Sequence, residues 1–403
     1  MAESPVDPKR RSCLKGLAWL GALPALALPV RSATASMTDL TYTLEPLRLK
    51  FELPALAAAV CHAGTMVAAS ATGVRVQGSD IKVTLDDRFH LGSDTKAMTA
   101  TLAGMAVEEG RLRWTSTIGE VLGSQVPGLH PRLAAVTLEQ LLSHSGGAPT
   151  DSEQLDSVYF NADTFTYNLP VLRLRAVRAI KSQAPIATPG KEFHYSNMGY
   201  VIAGAMLEQV TGVSWEEYIT RRLFEPLRLT SAGLGPQTST GRIDAPVGHR
   251  LAEDGTVTPM LWSTPADNPP MLGPAGVAHM SVVDFATWAG WNAGRGRRPP
   301  ALVTPETLAR IHRPHVSTGR LPNPRPGTPA EGKYALGWGI AKMPWARGPL
   351  LLHNGSNQMN LAKIVIDTQQ DLGLVALTNF SGNKAEDALE AVAENLYRQF
   401  AHD

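Results

Sequence analysis

Hydrophobic spacing divides the chain after residue 35 into strand-like ends and a helical middle. Two apolar runs, Leu53 to His62 and Thr65 to Val76, are joined by Ala63-Gly64 and predict a hairpin, behind weak helical spacing from Leu40 to Phe51. From Ser93 to about His312 the repeat becomes mainly helical, at Leu138 to Leu142, Val171 to Ser182, Met198 to Val210, Trp215 to Phe224, Val282 to Asn292 and Pro305 to His312. Strand character returns at Tyr334 to Ile340, Pro349 to His353, Asn360 to Asp367 and Leu372 to Asn379. The chain then closes in a helix with Ala385, Leu389, Val392, Leu396 and Phe400 on one face. Strands at both ends with helices between them predict an α/β (α+β) fold: one antiparallel sheet built from both chain ends, flanked by helices, with an inserted mainly helical region. The α/β part is expected over about 37–90 and 334–403, and the helical part over about 91–333. Three segments lack periodicity: Gly147 to Leu169, Gly235 to Pro274 and Arg313 to Lys333. Segments of this length in a compact domain are usually functional or mobile, and the first two are expected to border a cleft.

Ahead of these elements, Lys9-Arg10-Arg11-Ser12-Cys13-Leu14-Lys15 is followed by an apolar run from Gly16 to Val30 and by Ala33-Thr34-Ala35. Residues 1–35 therefore read as an export signal and 36–403 as the mature domain. The paired arginines resemble a twin-arginine signal, although Cys13 stands where an aromatic is commoner; a general secretory signal is the alternative. The apolar run carries Pro24 and Pro29 and falls short of the ~20 residues that span a bilayer. No stable membrane span is expected after cleavage, an uncleaved anchor being the alternative, and the expected location is periplasmic or secreted. A net charge of +1 over 403 residues argues against a nucleic-acid partner. Of the two cysteines, Cys13 lies in the signal, so Cys61 has no partner for an internal disulfide and reads as a small core residue.

Candidate chemistry begins where the helical region begins. In His90-Leu91-Gly92-Ser93-Asp94-Thr95-Lys96-Ala97-Met98, a hydroxyl and an amine stand one helical turn apart, so Lys96 can reach the Ser93 oxygen. The amine must be neutral to act as a base, which burial favours, and Ala97, Met98, Leu102, Met105 and Ala106 predict a buried helix. Three other S-x-x-K pairs lack that setting: Ser12 to Lys15 in the signal, Ser79 to Lys82 in a polar turn, and Ser381 to Lys384 in a Gly-Asn loop. Tyr195 and Asn197 follow Pro189-Gly190 and open a helix, which suits a tyrosine to move a proton and an amide to bind substrate and Lys96. A second Y-x-N, Tyr159-Phe160-Asn161, sits in a polar loop, and Tyr159 reads as a partly buried aromatic there. Leu351-Leu352-His353-Asn354-Gly355-Ser356 ends a strand with a glycine, against which a substrate could lie, and with a backbone amide at Ser356 for an oxyanion.

Taken in this order, the three motifs resemble the serine β-lactamase and penicillin-binding protein superfamily, in its class C-like branch. The likeness extends to Val136–Gly147, Thr211-Gly212, Phe224–Leu227, Gly276–Asp284 and Tyr334–Gly339. It implies a cleft between an α/β region and an inserted helical region. Ser93 is then the acylated nucleophile, Lys96 with Tyr195 the proton-transfer pair, Asn197 a substrate-amide binder, and His353 with Gly355 the strand motif. The Ser93 and Ser356 amides would form the oxyanion hole. His353-Asn354-Gly355 replaces the Lys-Thr-Gly of typical β-lactamases and looks more like certain DD-carboxypeptidases, D-aminopeptidases and esterases. Because histidine near neutral pH is mostly uncharged, small activated esters or D-amino-acid peptides are the expected substrates, with poor turnover of penicillins and cephalosporins. A β-lactamase proper and a non-catalytic peptidoglycan-binding envelope protein are the alternatives.

No G-x-S-x-G and no H-E-x-x-H occurs, and neither cofactor nor metal is expected. His312 and His315 read as surface residues, His144 as a structural hydrogen-bonder, and Arg173, Arg175, Arg178 and Lys181 as a solvated helix face. The expected partner is a small-molecule or peptide substrate, peptidoglycan fragments included.

Overall fold

Both ends of the domain meet in one sheet. A computed structural model describes residues 37–149, 153–160, 168–252, 255–261, 267–320 and 328–402. Its strands are β1 Ala55–His62, β2 Thr65–Gly73, β3 Arg88–His90, β4 Gly233–Leu234, β5 His249–Leu251, β6 Val257–Pro259, β7 Ala278–Ser281, β8 Val316–Arg320, β9 Glu331–Tyr334, β10 Gly339–Ala341, β11 Leu350–Ser356, β12 Leu361–Asp367 and β13 Leu372–Thr378. Eight of them form an antiparallel sheet in the order β2-β1-β13-β12-β11-β10-β9-β8. The N-terminal hairpin joins the C-terminal strands through β1 and β13, with Ala57 opposite Leu377.

The sheet is covered on both faces, and the two-residue period of a strand sorts its side chains accordingly. On β1, Ala57 and Ala59 face the helical region, whereas Leu56, Ala58 and Val60 face a second core shared with Leu44, Leu389, Val392 and Leu396. The helices Thr41–Lys50 and Asn383–Phe400 close that second face. The helix Val282–Ala293 covers the first at close range, since a side chain on Gly290 would strike Cys61 Sγ and one on Gly373 would meet Ala289 at 2.8 Å. Cys61 is the small core residue expected.

Three departures from the sequence reading bear on the site. Tyr334 to Ile340 is not one strand: Gly337 sits at φ +79°, and a Cβ there would meet the Ala97 backbone at 2.7 Å, so the β9–β10 turn presses on the helix that follows Ser93. Segment Arg313 to Lys333 supplies β8 and most of β9 at the sheet edge, where one exposed side removes the apolar repeat, and Gly235 to Pro274 contains the β5–β6 hairpin. Tyr159 ends a helix, Glu153–Tyr159, and is 4% exposed, with its hydroxyl 3.6 Å from Met198 Sδ.

Arg173 corrects the reading of its helix. Arg175, Arg178 and Lys181 are exposed, but Arg173 is fully buried, donating to Met271 O at 3.1 Å and to the carboxylates of Glu208 and Glu216. Its acidic partners lie on other helices, and the cluster fixes the start of the segment leading to Ala275. His312 and His315 are likewise not free surface groups, with ring nitrogens 3.0 Å from Asn292 Oδ1 and Arg310 O.

Candidate active site

The turn Gly92–Asp94 and the helix Thr95–Glu108 carry the first motif into the middle of the molecule. Every residue from Thr95 to Ala106 is buried, so the helix is apolar on all sides rather than amphipathic. Lys96 is fully buried, and its Nζ lies 2.9 Å from Ser93 Oγ, 2.8 Å from Asn197 Oδ1 and 2.7 Å from Ala275 O. Burial lowers its pKa from 10.5 to about 7, against the pull of the neighbouring Asp94 carboxylate. A neutral lysine has two N–H donors and one lone pair. Asn197 Oδ1 and Ala275 O can take the donors, leaving the lone pair to accept the Ser93 hydroxyl proton.

The second motif is set by its cap. Ser196 Oγ accepts from Gly199 N at 3.2 Å to start the helix Asn197–Thr211 and donates to Pro149 O at 2.8 Å, which fixes Asn197 at the first helical position. Tyr195, just outside the helix, lies with its ring 4.8 Å from Lys96 Nζ and is 37% exposed, open to the cleft. His144 supports this turn: its Nδ1 accepts from Ser196 N at 3.1 Å, and its ring packs 4.2 Å from that of Tyr195 and 4.8 Å from that of Tyr334. With Nδ1 accepting and burial holding its pKa well below 6.5, His144 is neutral with its proton on Nε2. Its structural hydrogen bond is the one the sequence suggested.

The third motif reaches the serine through its glycine. A Cβ on Gly355 would meet the Ser93 and Asp94 amide nitrogens at 2.8 Å, and one on Gly92, at φ +50°, would meet Ser356 N. The Gly355-Ser356 end of β11 therefore lies against the backbone of the Ser93 turn, which puts the two candidate oxyanion donors on adjoining chains. His353 is 7% exposed and presents no free ring nitrogen. Nδ1 faces two oxygens, Asn354 O at 2.8 Å and Asp94 Oδ1 at 3.3 Å, so it carries the proton, and Nε2 accepts from the Tyr334 hydroxyl at 2.9 Å. Burial first, and Lys96 second, push its pKa to about 3. The motif holds no cation at neutral pH.

Asp94, Tyr334 and the Ala275 carbonyl were not singled out from the sequence. Asp94 is 1% exposed, neither of its oxygens receives a hydrogen bond, and burial raises its pKa well above 3.8 despite Lys363 and Lys96. A charged type at the mouth of an apolar helix was its one visible signal. Tyr334 opens a stretch matched to the family, but its distance from His353 in sequence hid the contact. A carbonyl has no sequence signature at all, although the adjoining Gly276 is explained by its approach to Gly92, where a Cβ would lie 3.3 Å from the Gly92 carbonyl carbon. The other S-x-x-K pairs within the described residues are engaged elsewhere: Ser79 donates to Val76 O, Ser381 to Gln358 O, and Lys384 pairs with Glu52. Ser12 and Lys15, like Asn161, lie outside the described residues. Among the described residues no group of three or more His, Cys, Asp or Glu is placed to hold a metal ion.

Known proteins resemble this chain in sequence and in fold. Protein flp of Staphylococcus aureus (strain MRSA252) is 26% identical over 308 residues, 75% of this chain and 54% of its own length. The unguisins hydrolase ungD of Aspergillus violaceofuscus is 25% identical over 331 residues, 76% of this chain and 55% of its own. The chain thus spans about half the length of the curated relatives it matches. Among solved structures, an octameric penicillin-binding protein homologue from Pyrococcus abyssi superposes with a TM-score of 0.71 at 23% identity, covering 89% of this chain and 77% of that one. A D-stereospecific amidohydrolase from Streptomyces sp. gives 0.67 at 21% identity, covering 88% and 98%. These structural likenesses establish the fold. The model of the Beta-lactamase family matches residues 45–398, nearly the whole described domain, and the chain belongs to that family.

Proposed function

We propose that the chain is an exported serine hydrolase that cleaves a small ester or an amide or peptide bond through an acyl-enzyme on Ser93. The observation that carries this reading is the 2.9 Å contact between Ser93 Oγ and a buried Lys96 whose pKa is lowered to about 7. Lys96 Nζ takes the hydroxyl proton as Oγ bonds to the carbonyl carbon, and the carbonyl electron pair moves onto the oxygen, held by the Ser93 and Ser356 amides. The tetrahedral species collapses by expelling the leaving group, which takes a proton delivered from Lys96 by way of Tyr195. Water then attacks the acyl-enzyme by the same steps in reverse order, releasing the acid and restoring Ser93. Asn197 holds Lys96 and the substrate amide.

The absence of a cation at His353 favours substrates without a carboxylate anchor, so esters and D-aminoacyl amides or peptides are preferred to penicillins and cephalosporins. A structural neighbour described as a D-stereospecific amidohydrolase supports the amide-cleaving part of that preference. Peptidoglycan fragments are one source of such peptides. A fluorophosphonate probe is expected to label the wild type once, and Ser93→Ala to abolish labelling in a chain that still folds. An unlabelled wild type would mean a binding protein on this fold, and labelling that survives the substitution would move the nucleophile elsewhere.

Export rests on the Arg10-Arg11 signal pattern, and no helix among the described residues is long and apolar enough to cross a membrane. N-terminal sequencing of the mature protein should begin near Ser36; a Met1 start on protein retained inside the cell contradicts export.

A further inference from the structure

An apolar chamber of about 600 Å³ opens beside the candidate site, walled by Tyr159, Phe160, Leu169, Leu234, Pro236 and Val277. That volume is within the range of small-molecule pockets, roughly 300–1,000 Å³. Most of its wall comes from two of the segments without a regular repeat, Gly147 to Leu169 and Gly235 to Pro274, with Glu216, Leu234 and Val277 completing it.

Contacts tie the chamber to the site on three sides. Val277 follows Gly276, where an added Cβ would lie 3.5 Å from the Ser93 nitrogen, and Gly276 O accepts from the wall residue Asn268 at 2.7 Å. Asp267, also on the wall, accepts at 3.2 Å from Asn357, the neighbour of Ser356. Tyr159 reaches Met198, the neighbour of Asn197. By contrast, Tyr195 packs on the ring of His144, which in turn meets Phe193 and Tyr334, and none of these four residues lines the chamber. A leaving group must lie by its proton donor, so the chamber is left for the acyl side.

The wall's charges are as informative as its apolar surface. Among the described residues no lysine, arginine or histidine lines it. Its two carboxylates are already engaged, Glu216 by Arg173 and Asp267 by His90 at 2.6 Å. A substrate carboxylate entering here would be desolvated without a counter-charge.

We infer that this chamber receives the acyl portion of the substrate, and that the preferred acyl group is bulky, apolar and free of carboxylate. The inference rests on Ser93 being the acylated residue. The test uses the full mature chain with p-nitrophenyl acetate, butyrate, octanoate and hemisuccinate, and with n-octyl acetate. Burial of each methylene should raise kcat/KM about fourfold, so butyrate should exceed acetate by roughly fifteenfold, octanoate should exceed butyrate, and hemisuccinate should fall to or below acetate. Leu169→Trp, at the half-buried start of its helix, should narrow the chamber and cut octanoate turnover at least fivefold while acetate turnover stays within twofold, which also reports an intact fold. A flat response to acyl length, a preference for hemisuccinate, or a gain from the octyl group on the alcohol side would overturn the assignment of the chamber while leaving Ser93 in place. Loss of all ester turnover, or turnover that persists in Ser93→Ala, would instead remove the reading beneath it.

Discussion

Lys96→Met should lower kcat/KM by a factor on the order of 10⁴, the upper range for loss of a positioned proton-transfer group, while Ser93 remains in place. The wild-type profile should show a matching signature. Lys96 has to be neutral to accept the Ser93 proton, and its pKa is about 7, so kcat/KM should fall about tenfold for each pH unit below 7. Stability carries the same group with its own sign. The unfolded chain keeps the lysine proton up to about 10.5 and the folded chain loses it at about 7. Between those values the unfolded state binds more protons, so stability rises with pH by about 1.4 kcal/mol per unit and the handicap is full below pH 7. Lys96→Met should erase that slope. Chemical denaturation from pH 6 to 10, run beside steady-state kinetics, checks both. An acid limb near pH 4, or substantial activity in the variant, would make a carboxylate the base and sink the assignment.

The Ser93–Lys96 contact was legible because a helix converts a spacing of three residues into contact, and the apolar run after Lys96 told that the lysine is buried. The sheet was legible for a related reason: β1 and β13 are long and apolar on both faces, and only an interior position accommodates such runs. What could not be read had its cause elsewhere in the chain. Arg173 resembles any cation of a basic helix until Glu208 and Glu216 arrive from two other helices. β8 is an edge strand whose residues are largely exposed, so it carries no apolar alternation. His353 could be named from its motif, but whether it would be a charged anchor depended on its burial and on Tyr334 and the Asn354 carbonyl, which take its two ring nitrogens. Burial of His353 beside Asp94 leaves the motif's own side chain neutral, with its pKa lowered to about 3.

Gly355→Ala should cost 10² to 10³ in kcat, the magnitude lost with one oxyanion donor in other hydrolases, with a smaller change in KM. The added methyl would sit 2.8 Å from both the Ser93 and Asp94 nitrogens and against Leu91 O. All three are backbone atoms of the turn that holds the nucleophile, so no side-chain rotation can make room. Either β11 withdraws or the turn shifts, and in both cases the Ser93 and Ser356 amides move apart. The ground-state substrate, bound largely through its acyl and amide groups, should notice less than the tetrahedral species whose oxygen needs both donors. Gly348→Ala is the control: it lies just ahead of the same strand, and a methyl there meets nothing nearer than Gln369 Oε1 at 3.6 Å, so activity should stay within twofold. Steady-state kinetics and thermal unfolding on the two variants separate the cases. If Gly355→Ala retains wild-type kcat, close apposition of β11 and the serine turn is not what stabilises the oxyanion. If both variants lose activity in proportion to stability, the loss reports general unfolding and not the geometry of the hole.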